Sequence, residues 1–259
     1  MGRGIPGVSR YNPFMWNKKE INAHAAAATA LDAIVRGAFA YIAKTRKAAE
    51  YDVQQYILGE YRRLHMRVDK DPPIVGFGAH SAIPHYFPEK KGSARLTPNT
   101  LVLIDVWSRF NKGHSPFADS TWVGFYGSTI PAEVKRVYRT VIAARDAAVD
   151  YVSKELKRGR LPTGMAVDQA AMDIIERAGY KKYILHRTGH CIGFESPHGN
   201  SWNVNQKNPH PLSADVGYTI EPGVYLKGKF GVRSEIDFYI DANRKLHITT
   251  PVQREMVRI

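Results

Sequence analysis

Cysteine is almost missing from this 259-residue chain. Cys191 stands alone, so no intramolecular disulfide can staple the fold, and the chain suits a reducing compartment. Long apolar runs are absent on direct reading: no stretch of about 18 consecutive apolar residues stands out, so nothing is expected to span a membrane. The start, MGRGIPGVSRYNPFMW, has Arg3 and Arg10 but no continuous apolar core, which argues against a signal peptide. A soluble cytoplasmic protein is expected. Acidic residues are in deficit, 24 against 37 lysines and arginines, for a formal net charge of +13. Such an excess suits anionic partners. The basic residues are scattered in small groups, however, such as Lys44 with Arg46 and Lys47, Arg62 with Arg63, and Lys90 with Lys91. Neither zinc-finger cysteine spacing nor an RNA-binding aromatic motif accompanies them, so we read a solvated basic surface and expect no nucleic-acid partner.

What the chain does contain is an organisation stated twice. Residues 19–47 read as a long Ala-rich helix weakened at Gly37, and a second helix, EYDVQQYILGEYRRL, follows from Glu50. A loop with Pro72, Pro73, Pro84 and Pro88 leads to two strand-like runs, LVLIDVW and DSTWVGF. Pro131 then opens another long helix, ended by Gly159 and Pro162, and a shorter one, MAVDQAAMDIIERAG, runs to Gly179. The strand-like runs GYTIEPGVY and GVRSEIDFYI come later. Long helix, shorter helix, loop and hairpin therefore appear in the same order in both halves, and EYDVQQYI is loosely similar to AVDQAAMDII.

Each hairpin carries two carboxylates at the same spacing, Asp105 with Asp119 and Glu221 with Glu235. Pairing centres at residues 112 and 228 place the two members of each pair opposite one another on one face. Four carboxylates in an apolar setting repel and neutralise unless cations hold them, so a metal site is expected. Two further segments hold histidines: HRTGHCIGFESPHG, with His186, His190 and His198, and GAHSAIPHYFP, with His80 and His85. A single histidine is ordinarily a hydrogen-bonded structural residue, but Gly189 and Gly193 around His190 permit close backbone approach to a site. Neutral imidazole beside carboxylates suits zinc, manganese, iron or cobalt.

These pieces resemble the catalytic domain of the pita-bread metallopeptidases, the family of methionine aminopeptidase, X-Pro aminopeptidase and prolidase. The matching segments are FGAHSAIPHYFP, LVLIDVWSR with ADSTWVGF, HRTGHCIGFESPHG, YTIEPGVY and GVRSEID, in family order over about residues 20–245. The resemblance implies an α/β (α+β) fold with pseudo-two-fold symmetry, a curved antiparallel sheet covered outside by helices. It divides the chain into an extension, 1–19, and one catalytic domain, 20–259, with no creatinase-like domain ahead of it. It implies two divalent metal ions (manganese, cobalt, zinc or iron) held by Asp105, Asp119, His190, Glu221 and Glu235, with Asp119 and Glu235 bridging, and water activated between them. Glu221 then also shuttles a proton to the leaving amine, and His85 and His198 hydrogen-bond substrate. His198 follows His190 by eight residues where seven are expected.

The spacing of Glu221 and Glu235, with Arg233 two residues before a ligand, resembles the X-Pro-cleaving branch. Arg233 is read as a partner of the acidic site. Trp107, Trp122, Tyr86, Phe194 and Trp202 are pocket candidates, although strand aromatics more often pack in a core. Cys191 is read as a packing residue rather than a nucleophile. The chain departs from the branch in its short start, in a longer first hairpin turn, and in having no arginine between Gly199 and Ile220 to hold a dipeptide carboxylate. Lys207 or His210 could stand in for it, and the lack favours trimming of peptide N-termini. The expected function is hydrolysis of N-terminal Xaa-Pro bonds in peptides or dipeptides, by a homodimer on analogy alone. The alternatives are a non-catalytic peptide- or histone-binding module and a creatinase-like C–N hydrolase.

Overall fold

The computed structural model describes residues 14–259. Most of the opening segment MGRGIPGVSRYNPFMW, including Arg3 and Arg10, lies outside the described residues. Within the segment read as an extension, Trp16 is buried and its backbone N–H donates to Asp215 O, so this stretch is part of the domain's packing.

The first helix, α1 (Lys18–Thr45), begins where Asn17 accepts from the N–H groups of Lys19 and Glu20 while Glu20 accepts from Asn17 N–H. This reciprocal cap satisfies donors that the first turn leaves open. Its apolar face, with Ala27, Leu31, Ile34, Val35, Ala38 and Ile42, follows helical spacing and is buried. Contrary to the sequence expectation, α1 is long and apolar enough by length and composition to cross a membrane. Its alanines supply much of that character: Ala27, Ala28 and Ala38 lie on the face covered by the sheet, whereas Ala25, Ala26, Ala33 and Ala40 are exposed. The second helix, α2 (Glu50–Arg63), packs beside it, and Gly37 leaves room for the Tyr56 hydroxyl rather than merely weakening α1.

A short strand β1 (Ile74–Phe77) pairs with β2 (Thr100–Ser108), which pairs with β3 (Ala118–Tyr126), both antiparallel. Side chains alternate between faces along a strand. Val102, Ile104 and Val106 face α1 and α2, whereas Leu101, Leu103, Asp105 and Trp107 face the opposite way. The second half repeats the order. Helix α3 (Ala132–Lys157) is capped by Pro131, which sits one position before the helix and not within it, and α4 (Gly164–Arg177) follows. Strands β4 (Gly217–Ile220), β5 (Gly223–Leu226), β6 (Phe230–Arg233) and β7 (Ile236–Ile240) then form one long hairpin interrupted at 221–222 and 234–235, with β4 on β7 and β5 on β6. The short β8 (Leu246–Ile248) adds to β7, and β9 (Val257–Arg258) pairs in parallel with β3.

The register of the second hairpin centres on residue 228, as expected, with Gly228 at φ +75 in the turn, where a Cβ would be strained. The first hairpin is shifted. Asp105 lies opposite Thr121, and Asp119 opposite Trp107, so the two aspartates are offset by two residues rather than facing one another. An offset of two keeps the face, because the side-chain period is two. The halves meet where β3 and β7 lie side by side: Asp119 N–H donates to Asp237 Oδ2 at 2.8 Å and Glu235 N–H to Thr121 O at 3.3 Å.

Candidate metal centre

Four carboxylates and one imidazole arrive at this seam from three segments. Asp105 and Asp119 come from β2 and β3, Glu221 and Glu235 from the interruptions of the second hairpin, and His190 from the loop ahead of β4. The loop can come so close because Gly189 has no side chain: a Cβ there would collide with Thr219 O. Cys191 is fully buried beside it, and burial pushes its thiol up to about 12, so it packs and does not act as a nucleophile.

Ligand atoms of Asp119, His190 and Glu235 all lie within 4.8 Å of one another, and all three residues are buried. His190 Nε2 is 3.7 Å from Asp119 Oδ2 and 3.4 Å from Glu221 Oε1. On its other side, Nδ1 lies 2.9 Å from Cys191 O. A carbonyl can only accept, so Nδ1 carries the hydrogen and Nε2 presents a lone pair to carboxylate oxygens. Burial, then the neighbouring His198, holds His190 well below its ordinary pKa, so the ring is neutral. Thr121 Oγ1 lies 3.0 Å from Asp105 Oδ1 and 2.7 Å from Glu235 Oε2, with one hydrogen to serve both. Acceptors therefore face acceptors across the centre.

The electrostatics follow from that crowding. Burial raises Asp119 and Glu235 well above the carboxylate range, and the charges of their acidic neighbours raise them further. Burial raises Glu221 to about 7, with Arg233 pulling the other way. Asp105 is raised by burial but opposed by Arg233, whose guanidinium donates directly to its carboxylate. A cluster of buried acceptors short of hydrogens fits a divalent cation, which supplies the missing positive charge without needing a proton. The donor set of imidazole and carboxylate fits manganese, iron, cobalt or zinc.

The centre forms the floor of a chamber of about 500 Å³ lined also by His85, His198, Trp107, Arg233, Asp69, Lys70 and Asp71. His85 and His198 are both exposed to it, and the His198 ring stands edge-on to His190 at 4.2 Å. Arg233 is 3% exposed, a buried partner of the acidic site as expected. Besides Asp105, it donates from Nε to Thr121 Oγ1 at 2.9 Å and from Nη1 to Tyr225 OH at 3.3 Å.

Several pocket candidates sit elsewhere. Tyr86 is corrected outright: its hydroxyl donates to Glu50 Oε2 at 2.8 Å and it does not line the chamber. Trp122 projects to the α1 face, under the Arg36 guanidinium. Phe194 stacks on His114, and Trp202, half exposed, stacks on His210. His80 donates to Glu50 from Nδ1, and His186 to Arg187 O.

Glu50 escaped the sequence reading. It is fully buried at the first turn of α2 and accepts from Phe77 N–H at 2.6 Å, Ala94 N–H at 2.7 Å, Tyr86 OH and His80 Nδ1. These four donors bracket the loop that carries His85. The only local sign was an acid at a helix start, which ordinarily marks nothing more than a favourable dipole position.

Residues 21–242 match the metallopeptidase family M24. The chain belongs to that family. It is 32% identical over 194 residues to an uncharacterized peptidase of Staphylococcus epidermidis, covering 75% of this chain and 51% of that protein. Among solved structures, prolidase from Thermococcus sibiricus superposes with a TM-score of 0.80 at 27% identity, over 95% of this chain and 62% of the other. X-Pro aminopeptidase from Thermotoga maritima gives 0.79 at 26%, over 95% and 65%. The pita-bread architecture expected from the motifs is thus the fold of the M24 chain. The chain spans about half the length of the curated relatives it matches.

Proposed function

We propose that this M24 chain is a two-metal exopeptidase that hydrolyses the bond between an N-terminal residue and a following proline. The observation that carries the reading is the buried convergence of Asp119, His190 and Glu235, with the His190 lone pair directed at carboxylate oxygens. Asp119 and Glu235, one from each half of the fold, would hold both cations; Asp105 would complete one and His190 with Glu221 the other. Cations so held supply Lewis acidity, polarising a carbonyl and lowering the pKa of water.

The remaining roles belong to the protein. His85 and His198 stand exposed on the chamber wall, where each can hydrogen-bond the scissile carbonyl as it becomes negatively charged. Glu221, 13% exposed in its side chain and steadied by the Thr219 hydroxyl at 3.1 Å, is placed to move a proton toward the leaving nitrogen. Trp107 offers a flat apolar wall of the kind a pyrrolidine ring packs against.

The test joins metal content to turnover on one sample. Chain stripped of metal and reloaded with manganese, cobalt or zinc should bind about two ions and release the N-terminal residue from Xaa-Pro peptides. Asp119→Ala or Glu235→Ala should abolish two-ion binding; unchanged stoichiometry in either variant overturns the bridging roles. Failure to bind any of the three metals overturns the whole reading.

A further inference from the structure

Away from the metal chamber, a pocket of about 360 Å³ lies between α3 and the segment 254–258, and the two share no lining residue. Ile130, Ile142, Ala143 and Met256 give it an apolar surface, and four exposed cations, Lys135, Arg139, Arg254 and Arg258, stand around it. We propose that this pocket binds a small organic phosphate, with the phosphoryl group held between the cations of the two walls and the apolar body laid on Ile142 and Met256.

The balance of charge carries the argument. Lys135 and Arg139 are four apart on one helix, where like charges repel. Lys135 also stands near the start of α3, the positive end of the helix dipole. The acids nearby are committed elsewhere. Glu133 pairs with Lys229 at 3.0 Å, and Asp146 pairs at 2.7 Å with Arg145, which is fully buried and also donates to Ser234 Oγ and Gln253 O. Among the described residues, none of the four cations has an ion pair or a side-chain hydrogen bond, and Glu255 is the one unpaired acid on the wall. Residues 1–13 contain no acid that could make up the difference. Solvated surface cations ordinarily face water singly; these converge from two distant stretches of chain on one apolar hollow.

The pocket also selects its ligand. Guanidinium forks match the oxygens of phosphate and carboxylate alike. A phosphomonoester brings about two charges and three acceptor oxygens, so it can engage both walls at once, whereas a carboxylate brings a single charge. Tyr138, 5% exposed, lines the same pocket, and its buried hydroxyl has no hydrogen-bond partner among the described residues. An unpaired buried hydroxyl is costly, and it marks this wall as a place where an acceptor is missing. A volume at the small end of ligand pockets suits a body of about one ring.

The experiment is calorimetric titration of phenyl phosphate into the metal-loaded chain, with phenol, benzoate and inorganic phosphate beside it. Phenyl phosphate should bind at about one site per chain, about tenfold tighter than inorganic phosphate, because its ring leaves water for the apolar wall. Benzoate should bind about tenfold more weakly than phenyl phosphate, and phenol should not bind measurably. R139Q and R254Q should each weaken phenyl phosphate about tenfold, and the double variant should abolish its binding. Both side chains are exposed and neither lines the metal chamber, so melting temperature and metal content should match the wild type. Binding that persists in the double variant, or that vanishes when metal is stripped from the wild type, overturns the proposal by placing the anion elsewhere. Equal affinity for inorganic phosphate or for benzoate overturns it as well, as does an absence of binding. None of these readouts depends on peptide turnover.

Discussion

The backbone N–H of Asp119 donates to the Asp237 carboxylate at 2.8 Å, and this bond ties the first hairpin to the second beneath the acidic centre. Asp237 is fully buried, and its other oxygen has no hydrogen-bond partner among the described residues. Burial, opposed by that backbone bond, raises its pKa well above the carboxylate range. Asp237→Ala leaves a buried N–H unsatisfied at the position of a proposed ligand and should cost about 1–3 kcal/mol. Asp237→Asn keeps an acceptor and should cost less. Urea denaturation of both variants checks this, and equal losses would show that the bond is not what matters there.

Arg233 and Asp105 form a buried pair whose remaining donors and acceptors are engaged by Thr121 and Tyr225. Arg233→Leu strands the Asp105 charge and should destabilise the metal-free chain by about 3–5 kcal/mol. Adding Asp105→Asn should recover part of that loss, since the stranded charge goes with it. Additive losses in the double variant would mean that the two side chains do not act as a pair.

Glu221 gives a pH dependence whose sign can be worked out. Burial raises its carboxyl from 4.5 to about 7 in the folded chain, so between these values the native state binds more protons than the unfolded one. Stability from this group is therefore present below about pH 4.5 and is lost as pH rises through about 7. Buried His24 and His186, lowered by burial to about 4 and about 3, contribute in the opposite direction as pH rises toward 6.5. Comparison with Glu221→Gln cancels that background. Metal-free wild type should lose stability relative to the Gln variant between pH 5 and 8 by roughly the free energy of a two-unit shift, a few kcal/mol at most. A pH-independent difference between their melting curves would refute the shift.

Glu50 predicts a loop effect separate from metal binding. Glu50→Ala removes the common acceptor of four donors and should cost roughly 2–5 kcal/mol, because the Phe77 and Ala94 amides lose a charged partner. Hydrogen exchange at those two amides should rise while the number of bound metal ions is unchanged. Unaltered protection would mean that the loop is held by other contacts.

How much of this was legible beforehand depends on range. Helical spacing and caps are local, and all four helices fall where the sequence reading places them, within two or three residues at the ends. The 221/235 pairing is legible because the hairpin turn at Gly228 is tight and centres its own register. The wider loop of the first hairpin, 109–117, does not impose a register, so Asp105 and Asp119 shift by two. Period-two alternation still keeps them on one face.

The sequence by itself determined which residue types arrive and on which faces: carboxylates on the inner sides of two hairpins, a histidine held close by Gly189, and two similar halves. Tertiary structure alone decided what those groups meet. The β3–β7 seam joins residues 118 apart, Arg233 reaches Thr121 across 112, and Glu50 accepts from Ala94 across 44. Nothing in local propensity encodes such meetings, because they follow from how whole hairpins and helices bury their apolar faces against one another. Tyr86 turned toward Glu50, and Arg187 came to a chamber wall shared with Glu221, for that reason. The chemistry was written in the residues; the partners were chosen by packing.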